Sequence, residues 1–123
     1  MNKRTVLLVD DDEITNFMCK KMLTELGFDS VDSATNGLEA IKYLQNTCPD
    51  LIFLDIKMPI MDGFEFLEEL KTTNLCQDVK IIMLTSSSRE KEIKQASAYA
   101  NVIDFVVKPL TKQKANNIFE SIA

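Results

Sequence analysis

Short β-branched apolar runs alternate along this chain with longer segments whose apolar residues recur every three or four positions. Thr5–Val9 (TVLLV) is a continuous apolar run, as expected of a parallel strand covered on both faces. Ile14, Phe17, Met18, Met22 and Leu26 then fall at helical spacing, and Gly27 stands where a helix end favours a left-handed residue. Ser30–Ala34 is a weaker strand, and Asn36 is placed to cap a helix carrying Leu38, Ile41 and Leu44 on its inner side. Pro49-Asp50 interrupts the chain before Leu51–Leu54 (LIFL), a buried strand that ends at Asp55. Met58-Pro59 and Asp62-Gly63 are loop signals, after which Phe64, Leu67 and Leu70 stripe a third helix. Val79–Leu84 reads as a fourth strand ending at Thr85, and Ile93, Ala96 and Ala100 mark a weakly amphipathic fourth helix. Asp104–Val107 is the fifth strand, ending at Lys108-Pro109, and Thr111 caps a last helix with Ala115, Ile118, Phe119 and Ile122 facing inward.

Strands alternating with helices at this pitch predict right-handed crossovers and an α/β fold, a doubly wound parallel sheet with helices on both faces. No linker, low-complexity tract or glycine-rich phosphate loop divides the sequence, so a single domain over residues 1–123 is expected, with no output domain. A chain of 123 residues buries roughly two-thirds of its unfolded surface, enough for a core without staples. The formal charge of −5 argues against a general nucleic-acid binder, because a phosphate backbone demands a basic face. No apolar run is long enough to span a bilayer, and the basic start Met1-Asn2-Lys3-Arg4 leads into too short an apolar run for a signal peptide. The expectation is a cytoplasmic protein without membrane partners. Cys19, Cys48 and Cys76 are scattered without metal-like spacing, and their odd number fits no closed disulfide framework; they read as buried or indifferent thiols. Histidine is absent, so chemistry on this chain must run on carboxylates, hydroxyls and amines.

In an open parallel sheet, ligands bind beyond the carboxyl ends of the strands. The first strand ends at Asp10-Asp11, the third at Asp55, the fourth at Thr85 and the fifth at Lys108. The fold itself thus delivers three carboxylates, a hydroxyl and an ammonium to one edge. Asp12 and Glu13 read more simply as an acidic helix start, favourable against the helix dipole. Carboxylates drawn together repel one another unless a cation compensates, and clustered oxygen ligands are what Mg²⁺ prefers. Lys108 with Thr85 makes a site for phosphate oxygens, a point cation beside a hydroxyl donor. Whether the Lys108–Pro109 bond is cis stays open at this stage.

The stretches LLVDDDE, LIFLDIKMPIMDG, IIMLTSS and DFVVKPL, in that order and over essentially the whole chain, resemble the receiver domains of bacterial two-component response regulators. The resemblance is to the group that includes the chemotaxis regulator. It implies a flavodoxin-like (βα)5 fold with strand order 2-1-3-4-5. It also implies that Asp55 accepts a phosphoryl group from a phosphohistidine on a sensor histidine kinase or histidine phosphotransfer protein. Asp11 would be a direct Mg²⁺ ligand, Asp10 a second acidic ligand acting mainly through water, and the Lys57 backbone carbonyl a further contact beside Asp55; Mn²⁺ suits the same donors. Thr85 and Lys108 would hold the phosphoryl oxygens.

Thr85 and Phe105 are the implied switch residues, Phe105 standing where the family commonly has tyrosine and therefore lacking the hydroxyl. Ser86 stands where alanine is frequent. Asn101 stands where glycine is frequent and is expected to take up the left-handed turn. Lys57 and Ser87, at the mouth of the site, are expected to modulate the lifetime of the phosphoaspartate, with Ser86 beside them. Output is expected through the face of the fourth helix, fifth strand and fifth helix, to a downstream protein or to a second copy in a phosphorylation-dependent dimer. Two rival readings are an aspartate-nucleophile phosphatase and a phosphorylation-independent interaction module. The first needs an acid two residues after the nucleophile, where this chain has Lys57; the second is at odds with retention of all five site residues.

Overall fold

Apolar runs with no polar alternation are stable only in a sheet covered on both faces. The computed structural model, which describes residues 3–122, puts the three continuous runs in the interior of such a sheet, with the more polar second and fifth strands at its edges. Met1 and Asn2, half of the basic start, and Ala123 lie outside the described residues. The elements run β1 (Thr5–Val9), α1 (Glu13–Leu26), β2 (Ser30–Ala34), α2 (Gly37–Leu44), β3 (Leu51–Leu54), α3 (Gly63–Thr73), β4 (Lys80–Thr85), α4 (Glu90–Ser97), β5 (Val102–Val107) and α5 (Lys112–Ser121). Every strand pair is parallel and the order is β2-β1-β3-β4-β5, the doubly wound flavodoxin-like arrangement. Val9 pairs with both Ala34 and Leu54, and Thr85 with Val107, so the strands finish level along one edge.

Alternate residues of each run feed opposite layers. Leu7, Val9, Ile52, Leu54, Ile81 and Met83 pack under α2, α3 and α4, with Ile41, Phe66, Leu67 and Ala96 above them. Val6, Leu8, Leu51, Phe53, Ile82 and Leu84 pack under α1 and α5, against Leu23, Ala115 and Ile118. The helix starts follow their capping chemistry. Asp12, Asn36, Asp62 and Thr111 each accept backbone N–H groups of the following turn, and Asp62 with Glu65 completes a capping box. Gly27 ends α1 at φ 119°, as a left-handed cap.

Several expectations are corrected. Ile14, Phe17 and Met18 point outward, 71%, 70% and 63% exposed, while Asn16, Cys19 and Leu23 line the inner face of α1. The helix carries more than one apolar line, and the line that wins includes Asn16, whose amide donates to the Asp10 carbonyl at 2.8 Å. Leu38 is exposed, because the face that α2 buries is Gly37, Ala40, Ile41 and Leu44, with Gly37 pressed against Met61. Ala100 falls beyond α4 and is exposed. Asn101 is not left-handed; its amide instead donates to the carbonyls of Gln77 (2.9 Å) and Val79 (2.8 Å), tying the α3–β4 turn to the start of β5. Among the described residues, the left-handed positions outside glycine are Ile60, Asn74 and Cys76. Lys108–Pro109 is cis.

The cysteines also depart from the reading as three thiols. Cys48 and Cys76 are joined by a disulfide with Cα atoms 5.5 Å apart, and Cys19 is a buried free thiol. An odd count leaves room for one bond and one spare. The two partners meet because the α2–β3 and α3–β4 loops lie side by side before the adjacent strands β3 and β4.

Gly63 locks α3 to the end of β3: its N–H donates to the Ile56 carbonyl at 2.8 Å, and a Cβ here would stand 2.3 Å from the Asp55 carbonyl oxygen. That neighbour is backbone and cannot step aside. Gly63→Ala is therefore expected to lower the unfolding free energy by about 2 kcal/mol or more, checked by urea denaturation.

Candidate functional site

Backbone pairing continues one residue past the strands and carries the polar residues with it. The Asp10 N–H donates to the Ala34 carbonyl at 3.0 Å, the Asp55 N–H to Val9 at 2.9 Å, and the Lys108 N–H to Thr85 at 2.8 Å. Asp10, Asp55 and Thr85 are buried while Asp11 is exposed. The Lys108 ammonium lies 2.6 Å from Asp10 Oδ2 and 3.0 Å from Asp55 Oδ2. The remaining oxygens are held from the backbone: Asp12 N–H donates to Asp10 Oδ1 at 2.9 Å, and Ile56 N–H to Asp55 Oδ1 at 2.7 Å. Carboxylate oxygens of Asp10, Asp11 and Asp55 lie within 4.8 Å of one another.

One ammonium thus serves two buried carboxylates, with a third acid at the rim. Burial pushes the Asp10 carboxyl above its ordinary range, and the nearby Asp55 adds to this; the Lys108 and Asp12 donors pull the other way without prevailing. Burial pulls Lys108 down, but the hydrogen bonds and charges of Asp10 and Asp55 together outweigh it and hold the ammonium above its ordinary value. At Asp10 burial outweighs the pairing, and at Lys108 the pairing outweighs burial. The two are consistent because the cation has two partners and each anion only a share of one. Asp12 differs: its carboxyl is lowered by hydrogen bonds from Thr15 and Ile14, which fits a helix cap and not a member of the cluster.

The donors converging at the cluster are hard oxygens, the set that suits Mg²⁺ or Mn²⁺. The uncompensated negative charge is what such a cation relieves, and the exposed Asp11 leaves the cluster open to solvent. The residues fit a divalent cation.

The other residues singled out lie around this centre at differing depth. Ser87 is half-buried; its N–H donates to the Thr85 hydroxyl at 3.4 Å, and its own hydroxyl donates to Glu92 of α4. Ser86 and Lys57 are exposed, and Lys57 makes no ion pair among the described residues. Phe105, opposite Met83 in the sheet, is half-buried against the α2–α3–α4 layer. Two residues escaped the sequence reading. Asn16 holds the Asp10 carbonyl from α1, and its only signal was its place three and seven residues before Cys19 and Leu23 on one helix face. Glu92 links the β4–α4 loop to α4 through Ser87 and carried no sequence signal.

The family model of the response regulator receiver domain matches residues 6–120. The chemotaxis protein CheY of Halobacterium salinarum is 38% identical over 89% of this chain and 88% of its own length. Among solved structures, Vibrio cholerae CheY4 superimposes with a TM-score of 0.87 at 26% identity, covering 99% of this chain and 100% of that one. The CheX–CheY–BeF3–Mg complex of Borrelia burgdorferi gives a TM-score of 0.86 at 30% identity, covering 97% of this chain and 88% of that one.

The electrostatic imbalance has a testable sign. A carboxyl held above its ordinary range binds its proton more readily folded than unfolded, so ionised Asp10 costs stability at neutral pH. That cost fades as the pH falls through the raised value. Without added metal, Asp10→Asn is expected to be more stable than the parent at pH 7, by on the order of 1 kcal/mol. Chemical denaturation at graded pH should show the gap closing on acidification.

Proposed function

The chain belongs to the response regulator receiver domain family, and from that premise we propose that it is a switch thrown by phosphorylation of Asp55. The donor is a phosphohistidine of a sensor histidine kinase or histidine phosphotransfer protein. The observation that carries the reading is the single ammonium of Lys108 between Asp10 and Asp55, in a site with more negative than positive charge. Such a site is arranged for added positive charge and incoming anionic oxygens, not for a finished resting state.

In the proposed reaction a carboxylate oxygen of Asp55 attacks phosphorus as the N–P bond breaks. The imidazole nitrogen leaves with the bonding pair and recovers a proton from solvent. Phosphoryl transfer of this kind needs positioning and charge neutralisation above all. Lys108 binds a phosphoryl oxygen from one side, and the Thr85 hydroxyl, now accepting from the Ser87 N–H, turns to donate from another. Asp10, Asp11, Asp55 and the Lys57 backbone carbonyl are the proposed holders of Mg²⁺, or Mn²⁺, which when bound offsets charge on the phosphoryl oxygens. The likeness to the CheX–CheY–BeF3–Mg complex of Borrelia supports that assignment.

Movement of Thr85 leaves space beside Phe105, which is proposed to turn inward and alter the α4–β5–α5 face read by a downstream protein or a second copy. The protein is proposed to act as one receiver domain over residues 1–123, in the cytoplasm, as a self-dephosphorylating switch and not a turnover enzyme. Lys57 and Ser87, with Ser86 beside them, govern access of the hydrolytic water. Among the described residues no helix is long and apolar enough to cross a membrane.

Incubation with Mg²⁺ and a small acyl phosphate should add one phosphoryl mass, absent in Asp55→Asn and without metal; no mass gain with any donor would favour the interaction module, and continuous turnover of a phosphate ester the phosphatase. For Lys57→Ala the autodephosphorylation rate, followed by loss of that mass, should change several-fold with Asp55 still labelled. An unchanged rate would remove Lys57 from the site's gatekeepers.

A further inference from the structure

The end of the sheet opposite the acidic cluster carries a feature that phosphoryl transfer does not use. Cys48 and Cys76 are joined there, 28 residues apart, and the loop they close contains β3, Asp55 and α3. Cys48 is exposed and Cys76 half-buried. Beside them opens a cavity of about 580 Å³ whose lining includes Lys3, Arg4, Asp50 and Lys80. An attacking thiolate therefore has room to reach the Cys48 sulfur, and three basic side chains, against the two acids Asp50 and Asp78, border its approach. The surroundings also accommodate the opened pair. The Cys76 sulfur lies 3.8 Å from the Leu44 carbonyl oxygen, an acceptor for the proton of a free thiol. Asn101 holds the Gln77 and Val79 carbonyls, so the turn that carries Cys76 has a second anchor besides the disulfide.

From this geometry we infer that Cys48 and Cys76 form a thiol–disulfide exchange site, a reversible clasp whose co-reactants are low-molecular-weight thiols and disulfides of the glutathione class. On closing, the Cys48 thiolate attacks one sulfur of the small disulfide, forming a mixed disulfide and releasing one thiolate. The Cys76 thiolate then attacks the Cys48 sulfur and releases the second. Two electrons leave the protein pair and reduce one small disulfide to two thiols; the two cysteine protons end on those thiols. Opening is the reverse, begun at the exposed Cys48 sulfur. An exposed disulfide is of the labile kind, in contrast to one sealed in a core. The clasp works through the unfolded chain: closing a loop of this length removes entropy from it and raises thermal stability. It sits at the far end of β3 from Asp55, so its state is read in stability and not in the chemistry of the acidic cluster.

The test is equilibration of the full chain in a graded series of reduced and oxidised glutathione, acid quench, alkylation after denaturation and intact-mass measurement. The expected result is a reversible step from three alkylated thiols to one, with its midpoint inside the series. Alongside it, the melting temperature should rise by roughly 10 °C on oxidation. In Cys76→Ser the resolving thiol is gone, and one glutathionyl group should accumulate on Cys48; in Cys48→Ser far less should add to the half-buried Cys76. Three alkylated thiols at every ratio would mean the pair never closes, and one at every ratio would mean a permanent staple. Either overturns the inference, and neither depends on Asp55 being phosphorylated.

Discussion

The rest of the structure is arranged around one ammonium group held between two buried carboxylates. Asp10 and Asp55 follow two of the three interior strands, β1 and β3, and without the cation between them their proximity would be purely repulsive. Lys108 reaches them from the edge strand β5, across the whole width of β4. The site therefore spans the sheet: its charges meet only when β1, β3, β4 and β5 are all in register. Even then compensation is incomplete, which is why burial still holds Asp10 above its ordinary range. A fold of this kind gives up some stability at its centre and retains a place where added charge is welcome.

That central arrangement was legible in the sequence, and the reason is topological. In a parallel sheet buried on both faces the apolar runs are continuous, so their ends are conspicuous, and the winding rule sends all those ends to one edge. Asp10, Asp55, Thr85 and Lys108 could be gathered without knowing a single side-chain angle. Which way α1 faces was not legible. Ile14, Phe17 and Met18 make as good an apolar line as Cys19 and Leu23, and the buried face includes Asn16, whose hydrogen bond to a carbonyl no periodicity registers. The Cys48–Cys76 bond was hidden for a related reason, since it depends on two loops that become neighbours only once β3 and β4 pair. Asn101 was read through its backbone habit, whereas its side chain turned out to matter.

The choice made at α1 leaves three large apolar side chains in water on the flank of the acidic cluster, with Ile60 of the β3–α3 loop also exposed. Ile14 and Ile60 border the same shallow depression as Asp11. The rim of the site is thus apolar where its centre is strongly polar, and its surface chemistry changes over a few residues.

Gly63 and α4 stand in contrast within one helix layer. On the α3 side, the helix start is pressed against the Asp55 carbonyl and fastened by a capping box. Farther along the same layer, α4 has eight residues, buries only Ala96, and follows Arg89 with no side-chain cap. The free energy of local opening follows such differences in fastening. A disturbance at the acidic cluster consequently has a stiff direction and a compliant one. Towards α3 it is resisted by backbone packed on backbone; towards α4 it meets the Thr85–Ser87–Glu92 chain and little else. The molecule is mechanically asymmetric about its own site, firmly fastened on one flank and lightly on the other before any partner touches it.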